Sequence, residues 1–151
     1  MKRWLMLTLA VTMAVLAPLT GSDAAPVLYS IDNLVSKLHT ADPNDASTDS
    51  TVTITLTGKT VTGGNGLATD PTTGILWALL KFEDQSGPRE LVTLNPTTGV
   101  ATSIGNTGDR FAGIAFDSAG TLYGVTGDGA ATPETLFTLS KTNATPTSFL
   151  T

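Results

Sequence analysis

Gly66-Leu67-Ala68-Thr69-Asp70 returns 47 residues later as Gly113-Ile114-Ala115-Phe116-Asp117, and this recurrence decides the fold. Further blocks return in the same order. Gly74-Ile75-Leu76-Trp77-Ala78-Leu79 comes back as Gly120-Thr121-Leu122-Tyr123-Gly124-Val125. Pro88-Arg89-Glu90-Leu91-Val92-Thr93-Leu94 comes back as Pro133-Glu134-Thr135-Leu136-Phe137-Thr138-Leu139, and Thr102-Ser103-Ile104 as Thr147-Ser148-Phe149. The offset drifts from 47 to 46 to 45, and each lost residue falls in a turn. A unit of about 46 residues holding four short segments is the length of a β-propeller blade.

The segments have strand composition: short, rich in Val, Ile, Leu, Thr and aromatics, with turn residues between them. Residues 75–80 are continuously apolar, as in a strand packed on both faces. The turns Asp70-Pro71-Thr72-Thr73-Gly74 and Asn95-Pro96-Thr97-Thr98-Gly99 share one design. Asp or Asn supplies a side-chain acceptor, Pro sets φ at the next position, and Gly permits positive φ at the exit. Gly66 and Gly113 open the first strand of each unit, where crowding from a neighbouring blade would exclude a side chain. The expected fold class is therefore all-β: tandem four-stranded antiparallel blades of a β-propeller, about two and a half present, with residues 66–112 and 113–151 as the full blades.

Residues 25–65 read as a divergent partial blade. Residues 27–32 resemble the third strand of a unit, and residues 51–56, alternating Thr with apolar residues, suit a fourth. The polar stretch 41–50 reads as an exposed loop, and a short helix or turn fits residues 33–39.

The pattern G-[LI]-A-x-D, G-x-L-[YW], L-x-T-[LI]-[ND]-x-x-T-G resembles secreted bacterial β-propeller proteins with glycine-rich, NHL- and YVTN-like repeats. Residues 66–77, 91–99, 113–123 and 136–139 carry the likeness, which spans about residues 50–151. The resemblance implies architecture rather than one activity, because such repeats serve adhesion, ligand binding and some hydrolases alike.

Lys2 and Arg3, an apolar run over residues 4–16, Pro18 and a small-residue exit form a secretory signal peptide. Ser22 and Ala24 place cleavage after residue 24, and the apolar run is shorter than the ~20 residues of a membrane span. A secreted or periplasmic protein free of the membrane is expected. Losing Lys2, Arg3 and Asp23 leaves six basic and twelve acidic residues, a net charge of −6. That sign disfavours nucleic acid as a partner. The absence of Cys excludes disulfides, thiolate metal sites and a cysteine nucleophile.

His39 is the sole histidine, and no Gly-x-Ser-x-Gly elbow accompanies it. A surface role is expected for it, with no catalytic residue, metal or cofactor. Function gathers on loops over a rigid scaffold. Glu83, Asp84, Asp109, Arg110 and Asp128 lie in loops expected at one end of the blades and are the candidates for a cation or polar ligand. The leading expectation is an exported, non-catalytic binding or interaction module for an unidentified ligand or protein. The alternatives are a sugar-binding lectin assembled from short chains and a fragment of a metal-dependent, lactonase-type hydrolase. Propellers close with ~4–8 blades. The chain stops at Ser148-Phe149-Leu150-Thr151, within a strand, so either truncation, the favoured expectation, or self-association should follow, with an apolar face exposed on each end blade.

Overall fold

The computed structural model describes residues 26–83 and 87–149; the expected leader, residues 1–24, lies outside them. The fold is all-β, with no helix among the described residues. Three antiparallel meanders follow one another. The first joins β1 (Leu28–Ile31), β2 (Lys37–Ala41) and β3 (Thr48–Thr53). The second joins β4 (Val61–Thr69), β5 (Leu76–Phe82), β6 (Glu90–Leu94) and β7 (Ala101–Asn106). The third joins β8 (Phe111–Phe116), β9 (Leu122–Thr126), β10 (Leu136–Leu139) and β11 (Pro146–Ser148).

The two four-stranded sheets share strand order and register. Ala68 faces Trp77 and Trp77 faces Thr93, as Ala115 faces Tyr123 and Tyr123 faces Thr138. The twin turns are built as their sequence dictates. Asp70 Oδ1 accepts the Thr72 N–H at 2.9 Å, and Asn95 Oδ1 accepts the Thr97 N–H at 2.9 Å. Each turn closes with a 2.8 Å bond, from the Gly74 N–H to Asp70 O and from the Gly99 N–H to Asn95 O.

The sheets stack through their first strands: β1 packs on β4, and β4 on β8. Alternation along β5 sends Leu76, Ala78 and Leu80 toward the first sheet, where they meet Leu38 and Ile54. It sends Trp77 and Leu79 toward the third, where they meet Phe111, Leu122 and Leu139. This double burial explains why residues 76–80 of β5 are apolar without a break. Each fully buried leucine here contributes about 1.5–3 kcal/mol. Gly66 lies inside β4 rather than opening it, because the strand already begins at Val61, but it does show the expected crowding: a Cβ there would lie 3.1 Å from Ile114 Cγ1 on the neighbouring sheet. At Gly113 the nearest such contact is Val125 Cγ1 of its own sheet, at 3.8 Å.

The first sheet departs from expectation in three ways. Residues 27–32 contribute β1, the strand beside β4, rather than a third strand, because Tyr29 and Ile31 are drawn into the core shared with the second sheet. Residues 37–41 form β2 rather than a helix or turn. Leu38 is buried while its neighbours Lys37 and His39 face outward, a strand alternation. The polar stretch is a loop only over residues 42–47, closed by the Asp42 N–H to Ser47 O at 3.0 Å, and the Thr-rich run 48–53 is β3, the third strand. Residues 54–56 leave the sheet, and Thr55 makes a parallel bridge to Val100.

Candidate functional site

The predicted loop residues divide into two groups. Asp109 and Arg110 come together with the loop that carries Asp128. Asp109 Oδ1 accepts N–H groups of Arg110 and Ala131 at 2.8 and 2.9 Å, and Oδ2 accepts that of Thr132 at 3.2 Å. Arg110 Nη1 donates to Gly129 O at 3.1 Å. Burial pushes the Asp109 carboxyl upward, yet the three backbone donors and the Arg110 charge together hold it below its ordinary value. These two side chains therefore anchor the loop between β9 and β10. Asp128 stands exposed on that loop. Glu83 is exposed on the rim of another cleft, with Lys59, Phe82 and Pro88. That cleft shares Asn106 with a second one, lined by Asp109, Phe111, Ala131 and Thr132. Asp84 lies outside the described residues.

His39 occupies the outward face of the first sheet. Its Nδ1 lies 2.9 Å from Thr51 Oγ1 and its Nε2 lies 3.1 Å from Asp32 Oδ2. Beside it, Lys37 Nζ donates to Thr53 Oγ1 at 2.7 Å. A hydroxyl and an imidazole thus line up on the strand surface, with the carboxylate reaching them from the β1–β2 connection. Their polar atoms satisfy one another, and the middle of this end face is polar where an apolar face was expected, with Leu28 exposed beside it. The sequence held a signal for it: Lys37-x-His39 and Thr51-x-Thr53 each put two polar side chains on one strand face.

The other end of the stack is different. On β5 and β6, Leu79 and Leu91 are 0% exposed, because the third sheet covers them. The residues in the same register on β9 and β10 are Val125 and Leu136, which pair with each other. They are 41% and 38% exposed. Trp77 packs edge-on against Phe116 across the sheet interface, with ring centroids 6.0 Å apart. Its counterpart Tyr123 packs edge-on against Phe149 at 5.5 Å, and Phe149 is itself 53% exposed. Gly113, Ile114, Ala115, Tyr123, Val125 and Leu136 line a shallow, almost wholly apolar depression here.

No family model, curated protein or solved structure matches the chain. Among the described residues, no three His, Asp or Glu side chains converge as metal ligands.

The buried charged residues have partners, and for Lys81 and Asp70 those partners belong to a neighbouring meander. Glu90 is buried and accepts from Lys59 Nζ at 2.7 Å and from Ser103 Oγ at 2.6 Å. Lys81, also buried, donates to Asn33 of the β1–β2 connection, and burial, aided by the nearby Arg89 charge, pulls its ammonium below the usual lysine value. Lys141 reaches from the third sheet to Asp70 Oδ2 of the second at 3.0 Å. The Thr72 hydroxyl, against opposing burial, and then Lys141 hold the Asp70 carboxyl well below the usual carboxylate range.

Proposed function

We propose that the chain is an exported, non-catalytic interaction module built on β-propeller repeats, with the open face of the third sheet as its docking surface. The carrying observation is the contrast between Leu79 and Leu91, both covered, and Val125 and Leu136, exposed in the same register. Side-by-side first strands, each followed by an outward meander, support the blade reading. Exposed apolar patches of this kind mark sites of association. The leader at residues 1–24 supports export.

Against the hydrolase reading stands the engagement of Asp109 by three backbone donors. The test takes protein recovered from the exported fraction. Its N-terminus should be Ala25, and lactone and ester substrates with added calcium or magnesium should show no turnover. Metal-dependent turnover would replace the module with an enzyme. Specific retention on a glycan array would replace it with a lectin.

A further inference from the structure

We propose that the open face of the third sheet pairs with the same face of a second copy about a twofold axis. The inference rests on the interaction-module reading and names its partner. Three observations select a second copy.

The face is built to be covered. One sheet earlier, the same register positions are buried by an apolar sheet face bearing Phe111, Leu122 and Leu139. Its occupant must also be largely apolar, because Val125, Leu136 and Phe149 offer nothing to pair with a charge, and the Tyr123 and Thr138 hydroxyls on this face already donate, at 3.4 Å each, to Asp117 Oδ2 and Thr147 O.

The opposite end of the stack does not meet that requirement. Its outward face carries the hydrogen-bonded pairs Lys37–Thr53 and His39–Thr51, with Leu28 and Ala41 beside them. Head-to-tail joining would press the Lys37 ammonium onto Val125 and Leu136 and strip it of water. Repeat arrays end in polar capping units for this reason. The first sheet has the character of such a cap.

Of the two end faces among the described residues, the complementary one is the face itself. Pairing like with like sets Val125 and Leu136 of one copy against the same residues of the other. An isologous contact of this kind closes after two copies. Four strands spaced ~4.8 Å apart, with about five residues each at ~3.4 Å, give a flat area of roughly 330 Å². That is small beside the ~800 Å² per partner of a standard interface. The pair should therefore dissociate on dilution.

Sedimentation velocity of the purified chain, from sub-micromolar to high micromolar concentration, tests this. The expected result is a mass that rises to twice the monomer and stops. Leu136→Glu and Val125→Lys, both at exposed positions, should each hold the mass at one copy with an unchanged circular dichroism spectrum. Two variants guard against either one failing to fold. Lys37→Glu, on the opposite end face, should still dimerise. A monomer at every concentration, growth beyond two copies, dimerisation that survives both face variants, or loss of the dimer in folded Lys37→Glu would each overturn the proposal. Turnover by an intact dimer would remove the module reading and leave this pairing standing. A monomer without turnover would do the reverse.

Discussion

Replacing Gly99 by alanine separates the stacking of the first sheet on the second from the conformation of a single turn. Gly74 is its control. The two glycines close turns of the same sequence design, at φ 75° and 71°. In that left-handed region alanine costs about 1 kcal/mol at either position. The surroundings differ. A Cβ at Gly74 meets nothing within 4 Å, whereas one at Gly99 would lie 2.2 Å from Thr53 O at the end of β3. That is roughly 1 Å short of ordinary contact, and the obstacle is backbone. The first sheet must move away, straining the 3.0 Å bond from the Thr55 N–H to Gly99 O and the 2.8 Å bond from the Ala101 N–H to Thr55 O. Overpacking costs about 1–3 kcal/mol and each weakened bond up to about 1 kcal/mol. Gly99→Ala should therefore lose about 4 kcal/mol and Gly74→Ala about 1 kcal/mol. At roughly 3–4 °C per kcal/mol for a domain of this size, the midpoints should fall by roughly 14 °C and 4 °C. Paired thermal melts followed by circular dichroism decide it. Equal losses would refute the placement of β3 against this turn.

Two further changes probe the turns. Ala46 sits exposed at φ 58° in the β2–β3 turn, so Ala46→Gly should stabilise by about 0.5 kcal/mol once the added freedom of the unfolded chain is subtracted, measurable by urea denaturation. Asp70 should make stability acid-sensitive. Its carboxyl is depressed in the folded state from an ordinary value of 3.8, so its contribution is complete above about pH 4 and fades as pH falls through the lower folded value. Asp70→Asn should therefore show a smaller drop in melting temperature between about pH 5 and pH 2 than the parent chain; an equal drop would place the acid sensitivity elsewhere.

Sequence patterning made the second and third sheets legible because each strand is bounded by turn chemistry that acts locally. Asp70 and Asn95 bond to backbone two residues on, and no distant partner is needed. The first sheet was harder to read. Leu34 and Val35 are apolar yet exposed, which blurs the boundary between β1 and β2. Whether residues 27–32 form a first or a third strand depends on what lies across from Ile31, a matter of packing that local composition does not encode. The candidate site divides the same way. Asp109 and Arg110 were recognisable as loop charges, but the loop they hold, around residues 127–132, becomes visible only when β9 and β10 are paired. The polar end face needed only the alternation of Lys37 with His39 and of Thr51 with Thr53, together with the knowledge that β2 and β3 are neighbours.

Thiol labelling tests most directly the claim that a stack of sheets leaves one apolar face open. The chain contains no cysteine, so a single one at residue 79, 91, 125 or 136 reports on that position alone. At concentrations dilute enough to keep the copies apart, Val125→Cys and Leu136→Cys should react with a maleimide at nearly the rate of a free thiol. Leu79→Cys and Leu91→Cys should react only through opening of the fold, orders of magnitude more slowly. Protection at all four positions would mean that the third face is covered within a single copy. Rapid labelling at residues 79 and 91 would mean that the third sheet does not lie on the second.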